Sequence, residues 1–282
     1  MLVHPSIDPV ALALPPFSVF GLRIHLQVHW YGLMYLLGFW GAWWLGSIRA
    51  RWPHVNWPQE RVGDLLFYCV LGVILGGRIG YILFYAYDPE GHWLEWHDPA
   101  TLFRIWDGGM SFHGGLLGVS AAMLLFAWQQ KLSVWEVADF AAVVVPVGLF
   151  TGRIGNFING ELWGAPTALP WGMVFQNAPD NLPRHPSQLY EAALEGLALF
   201  AILWWFARRP RPAGACCGLF LLLYAAFRFA VEFVREPDKQ LGYLYGTGWF
   251  TMGMQLCLPM FAFGAAFVWL AYRRKPAIGA AA

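Results

Sequence analysis

The sequence predicts an all-α, polytopic integral membrane protein with seven transmembrane helices, its N-terminus periplasmic or external and its C-terminus cytoplasmic. Three observations predict it. Hydrophobic residues make up 58% of the 282 and charged residues 12%, with a mean hydropathy of +0.47, far from the balance of a soluble globular domain. Seven apolar runs are each long enough to cross the hydrocarbon core. Ten of the eighteen Lys and Arg residues stand at one alternate set of segment ends: Arg49, Arg51 and Arg61, then Lys131, then Arg208, Arg209 and Arg211, then Arg273, Arg274 and Lys275. The positive-inside rule assigns that set to the cytoplasm.

In chain order, residues 1–28 carry Pro5, Pro9, Pro15 and Pro16 and read as an external, partly interfacial segment. They lack a basic n-region, so no cleavable signal peptide is expected. The first span, about 29–47, opens on His29-Trp30-Tyr31; Tyr31 is either an interface anchor or a site residue, and Gly32 beside it permits close approach. A basic loop covers 48–61. In the second span, about 62–86, Gly72, Gly76 and Gly80 share one helix face, the spacing that lets membrane helices approach closely. Arg78 in that span either snorkels and pairs structurally or lines a polar cavity.

The outer loop from 88 is acidic, with Asp88, Glu90, Glu95 and Asp98, and passes through Arg104 to His113 at the mouth of the third span, about 112–129. Glycines around His113 strip bulk from the imidazole; without a preceding strand or a Walker lysine they are not a nucleotide loop. The fourth span, about 135–153, holds Pro146, expected to kink it, and delivers Arg153 at its outer end. The stretch 148–164, GLFTGRIGNFINGELWG, is the organising feature, because it sets Arg153, Asn156, Asn159 and Glu161 at the end of an apolar run. A charge there is costly unless it serves something.

Residues 155–187, rich in proline, read as mostly loop and as an external cap. The fifth span begins within His185-Pro-Ser-Gln-Leu-Tyr-Glu and carries Glu191 and Glu195 on one face. In the sixth, about 214–233, Arg228 and Glu232 are four apart and of opposite sign, a pair that could serve structure alone. Arg235-Glu-Pro-Asp lies outside it. The seventh span covers about 246–271, which closes the membrane domain at 29–271, and 272–282 form a cytoplasmic tail.

On this topology Tyr31, His113, Arg153, Asn156, Glu161, Glu191, Glu232 and Arg235 gather toward the external side. Guanidinium groups clustered in a low dielectric suit a phosphate, which they bind with directional, charge-assisted bonds. The glutamates would hold them and balance their charge. No HExxH, aspartate cluster or Gly-x-Ser-x-Gly elbow is present, so no metal and no cofactor is expected. The four cysteines, 69, 216, 217 and 257, lie in apolar segments without zinc-ligand spacing. From these residues alone, a lipid-handling enzyme and an anion transporter both remain open. The one-sided placement of the polar groups favours the enzyme, since alternating access uses groups near the midplane.

The motifs together resemble the bacterial prolipoprotein diacylglyceryl transferase family. The resemblance rests on 148–164, on His29-Trp-Tyr-Gly-Leu-Met-Tyr, Gly76-Gly-Arg-Ile-Gly-Tyr, Asp107-Gly-Gly-Met-Ser-Phe-His-Gly-Gly, His185-Pro-Ser-Gln-Leu-Tyr-Glu and Arg235-Glu-Pro-Asp. It runs the length of the chain in order. It implies a bacterial inner-membrane enzyme that moves the sn-1,2-diacylglyceryl group of phosphatidylglycerol to the lipobox cysteine thiol of a prolipoprotein. Glycerol 1-phosphate is released, in the first step of lipoprotein maturation. The partners implied are phosphatidylglycerol, the prolipoprotein signal peptide and membrane lipids, with no nucleic acid.

The family positions matched here are Tyr31, His113, Arg153, Asn156, Glu161, Gly164 and Arg235. Arg153 and Arg235 are expected to clamp the phosphoglycerol head group, with Arg78 or Arg104 as helpers. Gly164, Glu191 and Glu232 are expected to line the lipid site beside Asn156. His113 is either the base for the thiol or a group that positions the phosphate. The glycine-lined second and third spans are candidates for a lateral opening to the bilayer.

Overall fold

The computed structural model describes residues 2–13, 15, 17–19, 22–24, 27–55, 57–85, 109–237 and 241–273. The protein is mostly helical. Among the described residues, six helices are long and apolar enough to cross a membrane: Gln59–Tyr85, Phe112–Gln129, Val134–Ile158, Ser187–Ala207, Ala215–Glu232 and Met252–Arg273. Their outward faces are apolar; Phe67, Leu117, Leu197, Leu258 and Phe263 are each more than half exposed. Such surfaces on one helix after another are the mark of a multi-pass membrane protein.

The expected first span is the helix α1, Trp30–Ala50, of 21 residues. It stands outside that set of six because four tryptophans, two tyrosines and four glycines dilute its hydropathy. The chain divides into two compact units, Met1–Gly46 with Asp139–Ala282, and Ser47–Ala138.

The second unit is built on α2, Gln59–Tyr85, and α3, Phe112–Gln129. Their contact is a glycine interface. A Cβ on Gly72 would stand 2.6 Å from the Gly118 carbonyl oxygen, and one on Gly76 would stand 2.4 Å from that of Gly114. The shared glycine face read from the sequence is thus the face on which the two backbones meet. In this structure the face is filled by the neighbouring helix. Ser111 caps α3, its hydroxyl accepting from the Gly114 N–H at 3.2 Å, while its own N–H donates to the Gly77 carbonyl at 2.9 Å.

In the first unit, α1 packs on α4, Val134–Ile158, where Gly38 and Gly41 leave room for Thr151 and Val147. One helix runs through Pro146 and continues past Arg153 and Asn156 to Ile158. Arg153 therefore lies inside a helix, not at its end as expected. The helix expected as the fifth span, Ser187–Ala207, comprises α5, Ser187–Glu191, a π-helical turn, Ala192–Ala198, and α6, Leu199–Ala207. A π-turn inside an α-helix is uncommon and concentrates at functional sites. Gly196 in this turn meets α4 directly, since a Cβ there would lie 2.6 Å from that of Phe150.

Two further helices complete the unit: α7, Ala215–Glu232, and α8, Met252–Arg273, which cross at Gly218 and Gly264. The Asp139 carboxylate on α4 caps α7, accepting from Gly214 N–H and Cys217 N–H at 2.7 Å each. The last helix begins six residues later than expected. Residues 244–250 form a turn with Tyr245, Gly246 and Gly248 at positive φ, a backbone no helix can include.

The N-terminal segment and the expected cap are not plain loops. The strand β1, Leu2–Val3, pairs in parallel with Met173–Val174, here β6. Val10–Ala13 (β2) pairs with Gln27–His29 (β5), and Phe17–Val19 (β3) with Leu22–Ile24 (β4). His4 is buried, its Nε2 bonded to the Phe157 carbonyl at 2.6 Å and its ring stacked on Phe175 at 5.0 Å. These contacts tie the first residues to the end of α4 and to the 159–186 segment.

Candidate functional site

The site grows from a problem of burial. Glu191 and Glu195 lie in the Ser187–Ala207 helix with 0% exposure, and an ionised carboxylate out of water must be paired. Three helices supply the partners. From α4, Arg153 Nε reaches Glu191 Oε2 at 2.6 Å and its Nη2 approaches Glu195 Oε2 at 3.7 Å. From α7, Arg228 Nη1 reaches Glu191 Oε1 at 2.8 Å and Glu195 Oε1 at 3.9 Å. Arg228 Nη2 also pairs with Glu232 at 3.0 Å. From just beyond α7, Arg235 Nη1 donates to Glu191 and its Nε lies 3.4 Å from Glu232. Three guanidiniums thus converge on one carboxylate.

The network extends in two directions. On one side Arg153 Nη1 donates to Asn156 Oδ1 at 3.4 Å, and Asn156 Nδ2 donates to Glu161 Oε1 at 2.8 Å. Tyr31 belongs to this end: its ring covers Gly155, where a Cβ would be 2.9 Å away, and its phenol lies beside Asn156 and Glu161. On the other side the Thr251 hydroxyl, just before α8, donates to Glu232 at 3.0 Å. Gly253 gives Glu232 its room, since a Cβ there would sit 2.5 Å from the carboxylate.

The backbone after α4 turns sharply, with Gly160 at φ +64° and Leu162 at +58°. The start of the Ser187–Ala207 helix secures this turn: Gln188 Nε2 donates to the Glu161 carbonyl at 2.6 Å and the Ser187 hydroxyl to that of Leu162 at 2.9 Å. Gly164 lies where two backbones close on it. It bridges to Arg235, and a Cβ would be 2.3 Å from the Val234 carbonyl oxygen. In this structure Gly164 sets the position of Arg235 through the main chain.

Of the residues singled out in the sequence, Tyr31, Arg153, Asn156, Glu161, Gly164, Glu191, Glu232 and Arg235 come together in the first unit. His113 and Arg78 belong to the second. His113 stands exposed in the first turn of α3. Arg78 is buried, donates to the Gly109 carbonyl at 3.0 Å and lies 5.5 Å from the Tyr81 ring centre, so it braces the lead-in to α3. Arg104 lies outside the described residues.

Two members of the network are noticed in the sequence without a catalytic or binding role: Glu195 is expected with Glu191 in an interior polar site, and Arg228 as a structural partner of Glu232. The i,i+4 spacings 191/195 and 228/232 were the available signal. Arg184 was missed outright. It is 3% exposed and bonds Asp180 and Glu236 at 2.8 Å each. In this group, which lies outside the spans, the Arg184 hydrogen bond holds the Asp180 carboxyl below the usual carboxylate range.

The fold is that of a multi-pass helical membrane protein, and within it three arginines cluster around buried glutamates. The family model for prolipoprotein diacylglyceryl transferase matches residues 18–270. Relatives named phosphatidylglycerol–prolipoprotein diacylglyceryl transferase include that of Azotobacter vinelandii, 56% identical over 275 residues, with 98% of each chain covered. That of Nitratidesulfovibrio vulgaris is 56% identical over 281 residues, covering 98% of this chain and 97% of the relative. That of Ectopseudomonas mendocina is 53% identical over 284 residues, with both chains fully covered. The chain belongs to the prolipoprotein diacylglyceryl transferase family.

Proposed function

We propose that this protein transfers the sn-1,2-diacylglyceryl group of phosphatidylglycerol to the lipobox cysteine thiol of a prolipoprotein, the first step of bacterial lipoprotein maturation. The sulfur attacks C3 of the diacylglyceryl moiety. A C–S bond forms, the C3–O bond to phosphate breaks, and its electron pair leaves with glycerol 1-phosphate. The thiol proton passes to a base, a role proposed for His113. The convergence of Arg153, Arg228 and Arg235 on Glu191 carries this reading. Guanidinium groups held in a low dielectric stabilise the negative charge that grows on a departing phosphate.

In this reading Arg153 and Arg235 hold the phosphate. The three arginines keep 20%, 15% and 11% of their side-chain surface in the order 153, 228, 235, whereas Glu191 and Glu195 have none. That contrast in exposure supports the arginines, and not the glutamates, as the groups a phosphate would meet. Asn156, with Glu161 and Tyr31, orients Arg153; Gly164 seats Arg235; Glu191 and Glu232 prevent the arginines from standing as unpaired buried charge. Arg78 and Arg104 are assigned auxiliary roles toward the head group.

The proposal includes seven spans, α1 being the first. Its 21 residues rise about 31 Å, the thickness of the hydrocarbon core. The basic loops support a cytoplasmic C-terminus and a site on the periplasmic side of the inner membrane, with 1–28 and the 155–187 cap outside and 272–282 inside.

The test is transfer by purified protein in detergent, from radiolabelled phosphatidylglycerol to a lipobox-cysteine peptide. Thioether-linked peptide with matched release of glycerol 1-phosphate is expected. Intact, lipid-binding protein that forms neither product sinks the proposal, and vesicle translocation without conversion would replace it with transport. For the base, His113→Gln should lose turnover while retaining lipid binding; near-normal turnover would reassign that proton.

A further inference from the structure

Arg184 is a nearly buried cation that the proposed chemistry does not use. Its guanidinium spends every edge. Nε and Nη2 donate to the Asp180 carboxylate at 3.2 and 2.8 Å, and Nη1 donates to Glu236 at 2.8 Å and to the Gly164 carbonyl at 3.2 Å. Its face covers the Trp163 ring at 4.1 Å.

The backbone around it is equally engaged. Gly164 N–H donates to His185 at 2.8 Å, His185 N–H to Ala165 at 3.0 Å, and Ala165 N–H to Val234 at 2.9 Å. Residues 164–165 therefore run between 184–185 on one side and 234–235 on the other. The Arg184 side chain crosses this layer to reach Glu236, the neighbour of Arg235. Arg235 is consequently fixed on two sides, through its backbone bridge to Gly164 and through the carboxylate next to it.

We infer that Arg184 is a positioning residue for Arg235, acting through Glu236 and the Gly164 carbonyl, so that the cap sets the geometry of the phosphate-holding arginine. The inference rests on the reading that Arg235 holds the departing phosphate. Asp180 anchors the opposite edge of the guanidinium, away from Glu236. The two carboxylates therefore separate positioning from simple stapling of the cap.

The experiment compares the full chain with Glu236→Gln, Glu236→Asp, Arg184→Lys and Asp180→Asn in the transfer assay, with thermal midpoints measured alongside. A displacement of the order of an ångström at a reacting group costs between about 10- and 100-fold in rate. Glu236→Gln is expected to lower kcat about 10-fold with its midpoint near that of the wild type, and Glu236→Asp to restore most of it. Arg184→Lys, which keeps the charge but cannot span three acceptors, should lose a similar factor. Adding Glu236→Gln to it should cost little more. Asp180→Asn should lower the midpoint while changing kcat less than about 2-fold.

Wild-type kcat in Glu236→Gln, or losses that follow the midpoint equally in Glu236→Gln and Asp180→Asn, would overturn the positioning role while leaving the transferase reading intact. A wild-type chain that forms no thioether would remove both.

Discussion

Glu191 is the keystone of the network, and Glu191→Gln is its sharpest test. The amide keeps the shape and removes the charge. Among the described carboxylates Arg153 would retain Glu195, at 3.7 Å, Arg228 would retain Glu232 and Glu195, at 3.0 and 3.9 Å, and Arg235 would retain Glu232, at 3.4 Å. Removing one member of a buried ion pair costs about 3–5 kcal/mol, chiefly by leaving the other charge uncompensated. The residual partners soften this, so a loss near about 3 kcal/mol is expected.

Glu195 provides the internal comparison. It is as deeply buried, but its contacts are 3.7 and 3.9 Å, and it holds no arginine that Glu191 does not hold at closer range. Glu195→Gln should cost no more than about 1 kcal/mol, the net worth of an ordinary polar contact. Unfolding free energies from denaturing-detergent titration, with helix content as the readout, decide the order. Equal losses, or a larger loss for Glu195→Gln, would refute the claim that close pairing at Glu191 organises the site.

Two further outcomes follow from the packing. Gly118→Leu should separate α2 from α3 and cost more than the roughly 1–3 kcal/mol of ordinary overpacking, because a Cβ there would meet the Gly72 carbonyl oxygen at 2.0 Å; Gly63→Ala, into open space, is the control, and equal stability losses would contradict the interface. Gly253→Ala should push Glu232 off Arg228 and Arg235 and lower transfer about 10-fold with the helices intact; wild-type kinetics would show that Glu232 does not depend on this gap.

The Asp180–Arg184 pair sets a pH dependence. A carboxyl held low in the folded state contributes stability that is present above its unfolded value of about 3.9 and is lost as pH falls through the folded one. Proteolytic nicking of the cap should therefore rise below about pH 4 and should depend less on pH in Asp180→Asn; identical profiles would remove Asp180 as the source.

The fold was legible where chemistry leaves a period in the chain. Gly72, Gly76 and Gly80 announced a helix contact because spacing by four fixes a shared face, and the structure puts Gly114 and Gly118 against it. Apolar runs marked the six long helices. The first helix was harder, since its aromatic residues lower hydropathy without shortening it. Helix ends were less legible: Arg153 and Asn156 looked terminal, yet α4 includes both, because buried partners on the Ser187–Ala207 helix and α7 make a helical arginine tolerable.

The site was half legible. Arg153, Asn156, Glu161, Glu191 and Arg235 stood out as charge or amide where lipid would forbid it. Arg228 looked like a private pair with Glu232, since one-dimensional spacing cannot show that α7 also faces the Ser187–Ala207 helix. Arg184 left no signal, because it sits in an aperiodic, proline-rich stretch and its partners are 4, 20 and 52 residues away.

The measurement that bears most directly on the central claim is turnover by Arg153→Lys and Arg235→Lys with phosphatidylglycerol binding measured on the same samples. Lysine preserves the charge and discards the planar fork. If these arginines stabilise the departing phosphate, folded, lipid-binding variants should lose about 100-fold or more in kcat, the effect of removing one preorganised donor. Near-wild-type kcat in both variants would mean that the phosphate departs elsewhere and that the network is only scaffold.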